Sequence, residues 1–369
     1  MTRRTLLGVL SAAVSQRLGP AGWAGQKRSR RVVLITVGGV RRQESWSTQG
    51  LRYIPHLQSD LLPQSLFFPY TVNEGVTSHF NTISSILTGV WQHVDDWGGE
   101  KPAHPTLFQQ FQSQTHAGPQ DTWVVTSNKQ LTANISPGAN VILSKQLMVE
   151  AVERIITGQS SRGRLEREQI LAEMTAVLET DSERIGWGVP SESAFRDPDV
   201  KRAFLSALTA FIHGPDAPAT GDELTFLIAR EVLRRIAPAM LMINFSDVEV
   251  AHSGTYSLHL GGVSRTDRLC HLMWEFIQST PSLCDGTTLI VMNEFGRDPD
   301  GSGTNGFFNH RTNTESCRLA WSMVLGPAAG KPQVVERVVR QIDMTPSIAS
   351  WMGFECNQAA GAALPEFHA

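Results

Sequence analysis

The sequence predicts an α/β fold with a doubly wound, largely parallel sheet, helices on both faces and a helical insertion. Three observations carry that expectation. Short β-branched apolar runs recur along the chain, helical periodicities separate them, and one long helical stretch interrupts the alternation. Strands that alternate with helices need crossover connections, which make neighbouring strands parallel.

Residues 32–37 (VVLITV) form a continuous apolar run ended by Gly38-Gly39, as a strand buried on both faces would. Residues 65–72 read as a second strand. Residues 77–90 then show helical spacing through Phe80, Ile83, Ile86 and Leu87, with Gly89 as a stop. A short helix fits 105–111, and short strands fit 122–126 and 140–143. From about 146 the texture changes. Helical spacing at 148–156, 165–178, 200–212 and 223–236 is joined by polar or Pro/Gly-rich links, so 146–238 reads as an insertion. The sheet pattern resumes at 239–245, followed by a helix at 263–278 and strands at 288–292 and 321–325. The last helix spans 343–352, with Pro346 in its first turn and Gly353 after it.

Composition narrows the function classes. A net charge of -3 offers no basic field for nucleic acid. The nine Trp are read mainly as packing, with Trp91 and Trp97 as candidate platforms for a ligand. Residues 1–25 differ from the rest: Arg3-Arg4, a short apolar run and Gly22-Trp23-Ala24 resemble a twin-arginine export signal. The expected mature unit is 26–369, periplasmic or extracellular. No run reaches the ~18–20 apolar residues that a transmembrane helix needs. The four cysteines include no CxxC pair, and three disulfide pairings are open to an exported chain.

Ligands in doubly wound sheets bind at the carboxyl ends of strands. The strand at 239–245 runs into Asp247 and His252, a carboxylate and an imidazole suited to zinc or another divalent metal. The strand at 288–292 runs into Asn293-Glu294-Phe295-Gly296-Arg297, a Gly-rich loop and Asn309-His310-Arg311.

The order of these segments resembles that of the alkaline phosphatase and sulfatase superfamily, which includes nucleotide pyrophosphatases and cofactor-independent phosphoglycerate mutases. The resemblance spans about residues 32–354. It rests on the early strand with its polar turn, Ile86-Leu87-Thr88-Gly89, Asp247 to Gly254, Asn293-Glu294-Phe295-Gly296, His310, and the helix from Ile342-Asp343 through Pro346 to Gly353. The Asn293 to Arg297 segment is also similar to the S-E-F-G-R of a secreted branch of that superfamily.

The resemblance implies that Asp247, His252 and His310 hold one divalent metal, with zinc, calcium and manganese all open. It also implies departures in the other half of the site. Gly38-Gly39 stand where the family has acidic residues, and Asn293-Glu294 where it has Asp-His or Asp-Asn. The family spacing puts the nucleophile position on His79, and a shift of one or two residues gives Ser78 or Thr77. His79, Thr77 and Glu294 are therefore the candidate catalytic residues. Arg297 and Arg311, together with Arg41 and Arg42, are candidate anion binders. Two functions follow as expectations: a metal-dependent hydrolase of phosphate or sulfate esters, acting on a small anionic ester or glycan, or a non-catalytic binding protein for glycan or surface polymer on the same fold.

Overall fold

The computed structural model describes residues 30–128, 134–144, 220–301 and 306–367. The predicted export segment and the helices expected at 148–156, 165–178 and 200–212 lie outside these residues.

Among the described residues, nine strands form one sheet: β1 (Arg31–Val37), β2 (Ser65–Val72), β3 (Thr122–Thr126), β4 (Asn140–Leu143), β5 (Met240–Phe245), β6 (Thr287–Asn293), β7 (Leu319–Leu325), β8 (Gln333–Val334) and β9 (Val339–Arg340). Their order is β4-β3-β5-β1-β6-β7-β2-β8, and β9 also pairs with β2. Pairings are parallel except those of β7, which runs antiparallel to both β6 and β2. The central strands are buried along their full length because helices cover both faces.

Among the described residues, five longer helices supply that cover: α1 (His79–Thr88), α2 (Leu107–Thr115), α3 (Gly221–Arg235), α4 (Tyr256–Ser279) and α5 (Met344–Met352). Alternate residues of each strand point to opposite faces. Val33, Ile35 and Val37 of β1 join Leu241, Ile243 and Phe245 of β5 in a core with Leu224, Val232, Leu269 and Met273 of α3 and α4. Val32 and Leu34 join Met240 and Met242 in a second core with Ile83 of α1, Phe108 of α2 and Ile348 of α5. The expected doubly wound arrangement is thus present. Within the expected insertion, only its C-terminal end is described, where α3 packs on the first core.

Helix α4 begins at Tyr256, earlier than the periodicity predicts. Gly261-Gly262 mask its first turns, yet Gly262 permits close packing: a Cβ there would lie 3.0 Å from Val248 N. Gly89 caps α1 in the left-handed region at φ 72°, with its N–H on Ser85 O. Gly89→Ala is therefore expected to cost about 1 kcal/mol or more in urea unfolding. The added Cβ would also lie 2.8 Å from Ala359 Cβ. All four cysteines are free thiols. Among the described residues, no helix is long and apolar enough to cross a membrane.

The topology brings four segments to one edge. Val37 of β1 is in register with Phe245 of β5 and with Asn293 of β6, so the parallel strands end together. Strand β2 is antiparallel to β7, which is antiparallel to β6, so β2 ends at that edge too. Residues 38–39, 246–253, 294–297 and 77–79 therefore leave the sheet side by side. Strand β7 starts at this edge, and the loop before it carries His310.

Candidate metal centre

The segment Asp247–Ser253 after β5 is a 3-10 helix. At three residues per turn, positions i and i+3 eclipse one another. Glu249 and His252 therefore share a face, and Asp247 falls on another. Glu249 Oε2 lies 3.1 Å from His252 Nε2. Asp247 instead meets Arg265 of α4, with Nη1 3.2 Å from its Oδ2, and its N–H donates to Asp222 Oδ2 at 2.8 Å. The structure thus brings His252 and His310 together but places Asp247 outside their group, with Glu249 in its stead.

His79, the first residue of α1, enters the group from β2. Its Nε2 is 3.2 Å from Glu249 Oε2, and its Nδ1 is 2.7 Å from Glu294 Oε2. Glu294 is itself held by Asn244 of β5, whose Nδ2 donates to Oε1 at 2.8 Å. His310 arrives from the loop before β7. Its Nδ1 is 2.6 Å from the Thr77 carbonyl, and the Thr77 hydroxyl donates to the His310 carbonyl. A carbonyl only accepts, so Nδ1 of His310 carries the proton and Nε2 presents a lone pair. That Nε2 lies 3.2 Å from His252 Nε2. The Phe295 ring stacks on His310 at 4.3 Å and fixes its plane.

Glu249 is the hub. Its Oε1 accepts the Gly39 N–H at 2.8 Å, and its Oε2 is 2.7 Å from Arg297 Nη2. Arg297 is fully buried and also donates to the Gly39 carbonyl at 2.7 Å. Gly38 makes room for this carboxylate: a Cβ there would lie 2.2 Å from Glu249 Oε1 and 2.9 Å from Val248 Cγ2. The glycines after β1, where the family has acidic residues, therefore do not leave this edge without a carboxylate. Glu249 reaches the space from the neighbouring strand end.

The electrostatics follow from this packing. Burial lowers the His310 imidazole to about 3, so it stays neutral. Burial also opposes charge on His79, but the adjacent Glu249 and Glu294 outweigh it and raise the ring to about 10, so a cation binding there displaces its Nε2 proton. Burial works against an ionised Glu249 as well, yet Arg297 and His79 hold it well below the usual carboxylate range. Burial raises Glu294, although His79 pulls the other way.

The donor set fits a cation. One ligand atom from each of His79, Glu249, His252 and His310 lies within 4.8 Å of the others. Glu249 Oε2 is buried, and none of its nitrogen neighbours meets it with hydrogen-bond geometry. Three imidazoles and a carboxylate can surround one ion in the manner of a zinc site, and Glu294 and the Thr77 carbonyl orient two of the rings as outer partners do.

The other predicted residues have different surroundings. The Thr77 hydroxyl is buried and committed to His310, and Glu294 faces His79. Arg297 is turned inward onto Glu249 rather than toward a bound anion. Arg311 is exposed and paired with Asp96 at 2.8 Å. Arg41 is buried between Glu44 and Asp300, and Arg42 donates to the Pro69 carbonyl at 2.6 Å. Sequence reasoning missed Glu249. The signal available for it was its i,i+3 spacing to His252 combined with glycine at 38.

No protein-family model matches the sequence, and neither does any curated protein. Solved structures do. The alkaline phosphatase PafA superposes with a TM-score of 0.54 at 11% identity, over 93% of this chain and 99% of that one. A protein in the alkaline phosphatase superfamily from Vibrio parahaemolyticus gives 0.54 at 13% identity, over 94% of this chain and 72% of that one. The chain has the alkaline phosphatase superfamily fold. A provisionally assigned sulfatase from Bacteroides thetaiotaomicron shares this fold, with a TM-score of 0.52 at 9% identity over 91% and 74% of the two chains. On the alkaline phosphatase fold, the present chain sets three histidines and Glu249 at the carboxyl edge of the sheet.

Proposed function

We propose that this chain is a hydrolase of phosphate or sulfate esters that works with one divalent ion, held by His79, Glu249, His252 and His310. The convergence of those four donor atoms carries the reading. Three imidazole nitrogens favour zinc over calcium, which prefers an all-oxygen shell, with manganese between them. Such an ion would polarise an ester oxygen as a Lewis acid.

The chain's own groups act on orientation and charge. Glu294 holds the Nδ1 proton of His79 and turns Nε2 toward the centre. The Thr77 carbonyl does the same for His310. Arg297 and the Gly39 N–H keep Glu249 ionised and fixed. His252 is the half-exposed ligand, with its side chain 48% accessible, and marks the side from which a small anionic ester or glycan would approach. The twin-arginine-like N-terminus supports an exported, periplasmic or extracellular enzyme.

A second reading, a binding protein without turnover, draws on the committed Thr77 hydroxyl, the inward-facing Arg297 and the exposed Trp97. Metal analysis and assay separate the two. Purified protein is expected to hold one tight equivalent of zinc and to turn over aryl phosphates or sulfates. Turnover with zinc, manganese or calcium supports the hydrolase, and its absence with all three supports the binding protein. His252→Ala is expected to release that ion. Because His252 is half-exposed, its thermal unfolding in chelator should stay within about 0.5 kcal/mol of the parent.

A further inference from the structure

A second group of ligating side chains lies where the π-helical turn Leu57–Leu61 meets α4. His271 is 15 residues along α4 from Tyr256, about 22 Å at 1.5 Å per residue, so the group is remote from the first centre. His56 Nδ1 is 2.7 Å from Asp60 Oδ2, and His271 Nδ1 is 3.6 Å from the same oxygen. Ligand atoms of His56, Asp60 and His271 all lie within 4.8 Å of one another. The two imidazoles stack at 4.4 Å with 14° between their planes, so one ring must turn before both nitrogens can face a shared ion. Glu275 Oε1 stands 3.3 Å from His271 Nε2.

Two observations separate this group from an ordinary surface ion pair. The first is its scaffold. Asp267 is buried and accepts the N–H groups of His56 at 3.1 Å and Leu57 at 2.7 Å, which fixes the start of the turn. Asp267, His271 and Glu275 are spaced four apart on one face of α4, so one helix face both anchors the turn and offers His271 to it. The second is an unmet nitrogen. His271 Nδ1 is buried without a hydrogen-bond partner, although it faces Asp60. A buried ring nitrogen left unpaired is costly, and it needs a ligand, a water or an ion to account for it.

We propose that His56, Asp60 and His271, with Glu275 at the margin, form a second divalent-cation site. Two imidazoles and a carboxylate suit zinc, copper or nickel better than magnesium or calcium. The site is partly open to solvent, so it binds more weakly than the buried centre and exchanges its ion freely.

The test uses the full chain carrying His252→Ala, stripped with chelator and titrated with zinc chloride by equilibrium dialysis. One equivalent is expected to bind, and adding His271→Ala or Asp60→Asn should weaken it at least tenfold. With copper(II) in place of zinc, electron paramagnetic resonance should show coupling to two nitrogens that falls to one in His56→Ala. No binding in the His252→Ala protein overturns the proposal, as does binding unchanged by all three further substitutions. Asp60 is half-exposed, so Asp60→Asn keeps the test valid if a histidine variant fails to fold. Binding to wild type that is removed by His56→Ala but not by His252→Ala supports this site and counts against the metal ligands assigned at the first centre.

Discussion

Glu249→Ala is expected to destabilise the chain by about 3–5 kcal/mol, measured by denaturant unfolding in chelator. The reason is the guanidinium it would abandon. Arg297 is fully buried, and Glu249 is the carboxylate beside it. Removing one partner of a buried ion pair leaves an uncompensated charge in a poor dielectric. The Gly39 N–H loses its acceptor as well. Chelator matters because bound metal adds its own stabilisation to the folded state. The same variant is expected to lose the ion, so metal content and stability fall together. In His252→Ala the ion is lost without the large destabilisation. Equal losses of stability in the two variants would refute the hub role assigned to Glu249.

Gly38→Ala is expected to cost about 2–3 kcal/mol and to reduce metal content, though its backbone needs no glycine conformation. The added Cβ meets the Glu249 carboxylate at 2.2 Å and Val248 at 2.9 Å. Overpacking of a filled site typically costs about 1–3 kcal/mol, and here the neighbour that must yield is pinned by Arg297 and Gly39. Combining Gly38→Asp with Glu249→Ala should recover part of the loss, because the new carboxylate enters the space the old one leaves. A double-mutant cycle reads this as coupling between two residues 211 positions apart. Strictly additive costs would show that the two do not share the space.

Most of the fold was legible in the sequence. Residues 32–37, 65–72, 122–126 and 140–143 read as strands because their apolar, β-branched runs are interrupted by glycine, proline or polar turns, and the structure places strands there. Helix α1 and its Gly89 stop were equally plain. The start of α4 was not, since Gly261-Gly262 weaken helical propensity while serving a close approach to Val248 that only tertiary contact reveals. The antiparallel sense of β7 was also hidden. Strand direction depends on which edge the preceding loop returns to, and local pattern does not encode it.

For the candidate site, the sequence by itself named the imidazoles and the strand ends that carry them. Imidazoles at 252 and 310 follow buried strands, and the structure brings them with Glu294 to one edge of the sheet. Tertiary structure decided which carboxylate joins them. Asp247 and His252 looked able to share a cation, but the 3-10 turn that carries them aligns residues three apart, so Glu249 faces His252 and Asp247 faces Arg265. It also decided the meaning of Gly38, which read as an absent acid and is the space that an acid from the adjacent strand fills. The physical reason is common to both. A sequence specifies which groups exist and the local twist of the backbone, whereas the position of a side chain within a shared cavity is set by volume and charge from segments hundreds of residues apart.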